Sequence, residues 1–368
     1  MHRLGYVFRR GQLPLFVVLT LLCAPAWGVV LHPGDEAGPP DRPSDAVVGR
    51  FSDNASAVAI APNYILTTRH QGGGNGTPVW LNGQEYRTRA NFRPEDDPNF
   101  TFSKADIRII HIVKPDTLEP ANLTDFVDVF SGSNENGRQF VVGGFGKARG
   151  DLLPGGHGYS WSGTTNDTLR WGANKVNAVG LTLDLNGFTT KSIRADFDDA
   201  GVPTSVDFEA AIAEWDSGGG WFIKEAGVWK VAGLTSAVEH GVSNESWFDP
   251  PDNLYAARVS HYAAWIADHL LLDIMPPGDA NYDTVVDELD LEILSGHYGK
   301  NNRRWVHGDF NGDGWVNVLD LAIMAQNWDA GAGEFPGLDD IDFVPEPSSL
   351  AVLLIGGGAL ARRKRNSN

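Results

Sequence analysis

Between about Val47 and Arg258 the sequence alternates short runs rich in Val, Ile, Phe and Trp with turns built from Gly, Asn, Asp and Pro. Residues 56–60, 64–67, 107–112, 139–142 and 228–234 are such runs. Each is too short for a helix of its own, and β-branched and aromatic side chains fit a pleated surface. Many short strands divided by turn residues imply an all-β barrel or sandwich. The first stretch with helical spacing is 259–272, where Val259, Tyr262, Ala263, Ile266 and Leu270 fall on one face. A β-domain over 47–272 that closes on a helix is therefore expected.

Such a domain cannot lean on disulfides. Cys23 is the sole cysteine, and it lies in a segment that reads as a secretory leader. Arg3, Arg9 and Arg10 precede an apolar run over 13–22, and the small residues Ala24, Ala26 and Gly28 follow. Residues 1–28 are thus expected to be a signal peptide, cut near Ala26 or Gly28. The exported remainder is cysteine-free, which excludes thiol catalysis and zinc-thiolate sites. The formal net charge of -18 excludes a nucleic-acid partner, which needs a basic surface. Residues 29–46, rich in Pro, Gly and Asp, read as a loose linker.

Acyl transfer by a serine requires a base beside the hydroxyl, a carboxylate to orient that base, and donors for the oxyanion. Asp216-Ser-Gly-Gly219 offers a serine followed by glycines that let the chain turn and expose the hydroxyl. His70 ends the run Tyr64-Ile-Leu-Thr-Thr-Arg-His, and Asp106 opens Asp-Ile-Arg-Ile-Ile. Each alone would more often be structural. Their joint placement at strand ends, in the order His, Asp, Ser, points to a triad of His70, Asp106 and Ser217.

In this set of segments the chain resembles the chymotrypsin/trypsin family. Ile65–His70 is similar to its histidine motif, Asp106–Ile110 to its aspartate motif and Asp216–Gly219 to the core of its serine motif. Gly144-Phe-Gly146, Trp229–Ser236 and Arg258–Ile266 resemble the glycine-flanked strand, the pocket strand and the C-terminal helix. The resemblance implies two six-stranded antiparallel β-barrels and a serine endopeptidase acting on protein or peptide chains. It implies an oxyanion hole from the backbone amides of Trp215 and Ser217. It implies a specificity pocket at Ala211, Ser236 and Val238, uncharged and suited to a small or medium apolar side chain before the scissile bond. The chain departs from the family at Trp215, where glycine is usual, and at Arg69, where alanine is usual. Those departures motivate the alternative, a catalytically inactive adhesion or scaffold protein that keeps the barrels. Val47-Val-Gly-Arg50 matches the animal activation site only loosely. Whether Asp216 pairs with a new N-terminus stays open.

After Met275-Pro-Pro-Gly278 an acidic segment repeats itself at an offset of thirty residues. Calcium takes six to eight oxygens from a tight loop. Asp279, Asn281, Asp283, Asp287 and Asp290 stand at loop positions one, three, five, nine and twelve, as do Asp309, Asn311, Asp313, Asn317 and Asp320 in the second copy. Val285 and Trp315 would each supply a backbone oxygen. Aspartate at position twelve and the lack of an entering helix resemble the dockerin family over 276–330. That resemblance implies a small helical module with two structural calcium ions, no cofactor for catalysis, and a cohesin-like partner. The positions that contact cohesin in cellulosomal dockerins are Glu288-Leu289 and Val318-Leu319 here. An apolar face at Leu291, Ile293, Leu319 and Ile323 is an alternative docking surface toward the protease domain.

A second linker, 331–343, leads to Val344-Pro-Glu-Pro, an apolar run over 350–361 and the basic Arg362-Arg-Lys-Arg365. Residues 344–368 resemble the PEP-CTERM sorting signal. This implies processing by an exosortase-type peptidase and delivery to the cell envelope, the cell surface or the medium, with ordinary membrane anchoring by the apolar run as the alternative.

Overall fold

The computed structural model describes residues 29–329, apart from 98–99, 165–166, 240–243, 249–252, 272–275, 282, 284, 302, 304, 312 and 313. The expected leader at 1–28, the linker at 331–343 and the sorting signal at 344–368 lie outside the described residues.

Six antiparallel strands close the first barrel. In order around it they are Val48–Phe51, Ala55–Ala61, Tyr64–Thr67, Arg108–Val113, Gln84–Phe92 and Pro78–Leu81. Successive side chains of a strand point to opposite faces, and in Ala55–Ala61, Tyr64–Thr67 and Arg108–Val113 both faces are buried. Ala55, Ala57, Ala59, Ile65, Ile110 and Ile112 pack inside around Phe51. The three alanines leave room for that ring in a narrow barrel. Val58, Leu66 and Ile109 point the other way and meet Phe222, Leu234 and Trp265. This outer apolar face joins the barrel to the second half of the domain.

The second half is built on a longer sheet. Its path runs Arg170–Lys175, Gln139–Gly144, Gly220–Glu225, Val228–Glu239, Asn253–Arg258, Phe188–Ala195 and Ala178–Leu185, with Asp128–Val129 alongside Val228–Glu239. Phe140 stacks on Trp221 at 4.2 Å in its core. Helix α1, Val259–Leu271, lies over the seam between the halves. It buries Val259, Tyr262, Trp265 and Ile266 there, so Trp265 takes a place that the sequence pattern gave to Ala263.

At the start of the 29–46 segment, Val29, Val30 and Leu31 carry apolar side chains that the second half buries. Val30–Leu31 pairs with Ala210–Ala211, and Val29, Val30 and Leu31 are all buried in the same core as Phe140 and Trp221.

The C-terminal module has its own core, in which Val286, Leu291, Leu294, Phe310, Val316 and Met324 are buried. Helices α2, Glu288–His297, and α3, Val318–Asn327, each begin with a reciprocal capping box, Asp287 with Asp290 and Asn317 with Asp320. Leu291 belongs to this core, while Leu319 is exposed. The four residues read as one apolar face therefore do not share a surface.

Candidate functional site

Strand register brings the first two polar groups together. Leu66 pairs with Ile109 and Thr67 with Arg108. The chain leaving Thr67 toward His70 thus runs beside the chain that enters Arg108 from Asp106. Asp106 Oδ1 accepts the backbone N–H groups of Arg69 at 2.7 Å and His70 at 2.9 Å. Its Oδ2 lies 2.6 Å from His70 Nδ1, and His70 Nε2 lies 2.9 Å from Ser217 Oγ. Histidine, aspartate and serine, widely spaced in sequence, form one hydrogen-bonded row.

Two partners of Asp106 escaped the sequence reading. Thr190 Oγ1 accepts the Asp106 N–H at 2.9 Å, and Ser236 Oγ donates to Asp106 Oδ2 at 2.8 Å. Ser236 was expected on the pocket wall. A register shift between Thr235 and Ala237 marks a bulge there, which re-aims the Ser236 side chain toward Asp106. Burial alone would push Asp106 upward. Hydrogen bonding and charge from His70, with help from Ser236, hold its carboxyl below the usual carboxylate range. Gln71 is a further neighbour, its Nε2 2.6 Å from His70 Nε2, so two donors converge on one imidazole nitrogen.

Asp216, beside the serine, is completely buried. Its carboxylate accepts N–H groups from Gly146 at 2.7 Å, Ala213 at 2.8 Å and Val29 at 3.3 Å. Burial nonetheless pushes its pKa up to about 6. The carboxylate also explains the motif Gly144-Phe-Gly146: a Cβ on either glycine would sit 2.3 Å from an Asp216 carboxyl atom. Trp215, at the proposed oxyanion position, adopts φ +77°, a left-handed geometry that glycine takes freely and tryptophan rarely. Arg69 is drawn away from the row. Its guanidinium pairs with Glu95 at 2.5 Å, donates to the Ala105 carbonyl at 2.9 Å and lies over the Phe188 ring.

Ala211 and Val238 line one small cavity with Phe197, Trp247 and Leu254. Its volume is about 10 Å³, close to what a single water needs.

In the C-terminal module the position-twelve carboxylates organise both loops. Asp290 accepts N–H groups from Ala280, Asn281 and Asp287, and Asp320 accepts those of Phe310, Asn311 and Asn317. Asp279, Asp290, Asp309 and Asp320 are all buried. Burial raises Asp290, and the Asp279 charge adds to that. Two buried carboxylates with side-chain and backbone oxygens around them suit a hard divalent cation. Asp313 lies outside the described residues. The remaining expected ligands Asn281, Asp283, Asp287, Asn311 and Asn317 are on the loops or at the helix caps.

Residues 277–327 match the Dockerin type I domain family. Domains of this kind bind calcium and cohesins and occur in extracellular or cell-surface proteins. No curated protein matches the chain. Among solved structures it is similar to neuropsin, a serine protease expressed in the limbic system of mouse brain. Identity is 16% and the TM-score 0.42, covering 62% of this chain and 95% of that one. It is also similar to the Rv3671c protease in an inactive form, with 14% identity, TM-score 0.38 and coverage of 61% and 89%.

Proposed function

We propose that the chain is a serine endopeptidase carrying a calcium-loaded docking module. The observation that carries this reading is the hydrogen-bonded row Asp106–His70–Ser217, with links of 2.6 and 2.9 Å. Ser217 Oγ attacks the scissile carbonyl as His70 Nε2 takes its proton. His70 returns that proton to the leaving amine. Asp106, ionised and held by backbone donors, fixes the imidazole with its proton on Nδ1 and stabilises the imidazolium. The amides of Trp215 and Ser217 receive the oxyanion. Water then repeats the cycle on the acyl-enzyme. The cavity between Ala211 and Val238 favours a small side chain before the scissile bond, such as Ala or Gly. This is the lower end of the range that the sequence suggested.

In the tail, each loop holds one calcium ion through Asp279, Asn281, Asp283, Asp287 and Asp290, or through Asp309, Asn311, Asp313, Asn317 and Asp320. Calcium there neutralises the clustered carboxylates and fixes the loops against α2 and α3. The exposed loop ends, with Leu289 56% and Leu319 57% accessible, face a cohesin-like partner. Export through the leader, with processing of the C-terminal signal by an exosortase-type peptidase, places the enzyme at the cell surface or beyond. Among the described residues no helix is long and apolar enough to cross a membrane.

Fluorophosphonate labelling of the mature protein in calcium buffer tests the catalytic reading. Labelling that Ser217→Ala and His70→Ala both abolish is the expected result. A folded, unlabelled protein that also fails to cleave a peptide library would remove the enzyme reading.

A further inference from the structure

Trp215 stands where its backbone is costly. A bulky residue at φ +77° is strained where glycine would not be. The easiest relaxation is a flip of the 214–215 peptide, which would turn the Trp215 N–H away from the serine. The structure holds both carbonyls that flank Trp215. The Glu214 carbonyl accepts the Lys147 N–H at 2.8 Å. The Trp215 carbonyl accepts the Ser56 hydroxyl at 3.3 Å.

The same two residues grip the loop in other ways. Lys147 Nζ pairs with the Glu214 carboxylate at 2.5 Å and with Asn244 Oδ1 at 3.0 Å, and it lies 4.9 Å from the Trp215 ring centroid. Ser56 is fully buried in the first barrel. Its N–H donates to the Ser217 carbonyl at 2.8 Å. Its hydroxyl accepts the Phe145 N–H at 2.9 Å, and its carbonyl accepts Thr67 Oγ1 at 2.7 Å. Thr67 ends the strand that delivers His70. One serine therefore ties the nucleophile loop to the barrel that carries the base.

We propose that Ser56 and Lys147 are positioning residues that clamp Trp215 in its left-handed geometry and so keep the 214–215 N–H aimed at the developing oxyanion. This rests on the endopeptidase reading for its consequence, although the clamp itself is a property of the fold. Ser56 works from the barrel side, against the Trp215 carbonyl. The Lys147 side chain works from the solvent side, against the Glu214 carboxylate and the indole. Its main-chain bond to the Glu214 carbonyl survives any substitution at 147, so variants there test the side-chain contacts. Glycine at 215 would need no clamp, because it adopts positive φ without strain.

The test is a comparison in two backgrounds. Losing an oxyanion donor outright slows catalysis about 10²–10³-fold; loosening the peptide that carries it should slow kcat by about tenfold. Lys147→Met is expected to lower kcat and the fluorophosphonate rate by that factor with KM within about twofold, and Lys147→Arg to restore most of the loss. In a Trp215→Gly background the same Lys147→Met change should cost less than about twofold. Equal slowing in both backgrounds, or none in either, overturns the clamp. If the unsubstituted protein proves unreactive, the endopeptidase reading fails, and a crystal structure of the Ser56→Ala, Lys147→Met protein decides the clamp alone. Trp215 at negative φ with its N–H rotated away supports it; Trp215 still near +77° refutes it.

Discussion

A short extension before Val29 would test the buried carboxylate of Asp216. That group has no solvent exposure and accepts the Val29 N–H at 3.3 Å. In an extended chain Val29 offers only a peptide N–H. In a chain that begins at Val29 it offers a full ammonium at the same place. Burial pushes Asp216 from an ordinary 3.8 to about 6, and two pKa units correspond to about 3 kcal/mol. The sign follows from proton counting. A carboxyl with a raised folded pKa binds its proton more tightly in the folded state, so stability is highest below the unfolded pKa. It falls as pH rises from about 4 to about 6 and stays low above that. The ammonium removes this loss, because it compensates the carboxylate. With about 2–4 °C per kcal/mol for a domain of this size, the extended form should melt about 5–10 °C lower at pH 7.5. Near pH 4 the two forms should converge. Calorimetry of both forms at pH 4 and 7.5 measures this, with Asp216→Asn in the extended chain as the control that flattens the profile. Identical pH profiles for the two chains would show that Val29 does not supply the counter-charge.

Three other outcomes are expected. Ser236→Ala removes one of the groups holding Asp106 low, and it should slow fluorophosphonate labelling about three- to tenfold while circular dichroism stays unchanged; an unaltered rate refutes its role behind the triad. Glu209, which burial pushes up to about 8, should make the fold less stable as pH rises from about 4.5 through 8, so Glu209→Gln should raise the melting temperature more at pH 9 than at pH 5. Calorimetric titration should find two calcium ions per chain, with Asp290→Ala and Asp320→Ala each removing one; a single ion in the unsubstituted protein, or none, contradicts the paired-loop assignment.

The sequence by itself determined the β-rich texture, the closing helix and the duplicated acidic loops. These are local signals: alternation along a strand, helical spacing in 259–272, and oxygen ligands at fixed offsets. His70, Asp106 and Ser217 were also legible, because each sits in a short recognisable segment. What the tertiary structure decided depends on contacts between distant segments. Val29–Leu31 looked like a linker, since nothing local shows that its apolar side chains fill a cavity beside Ala210 and Ala211. Ser236 looked like a pocket residue, since a bulge that turns one side chain leaves no trace in the order of residues. Ser56 gave no signal at all. Its place at the junction of the barrels exists only once Thr67, Phe145 and the loop carrying Trp215 and Ser217 have converged on it from three separate stretches of chain.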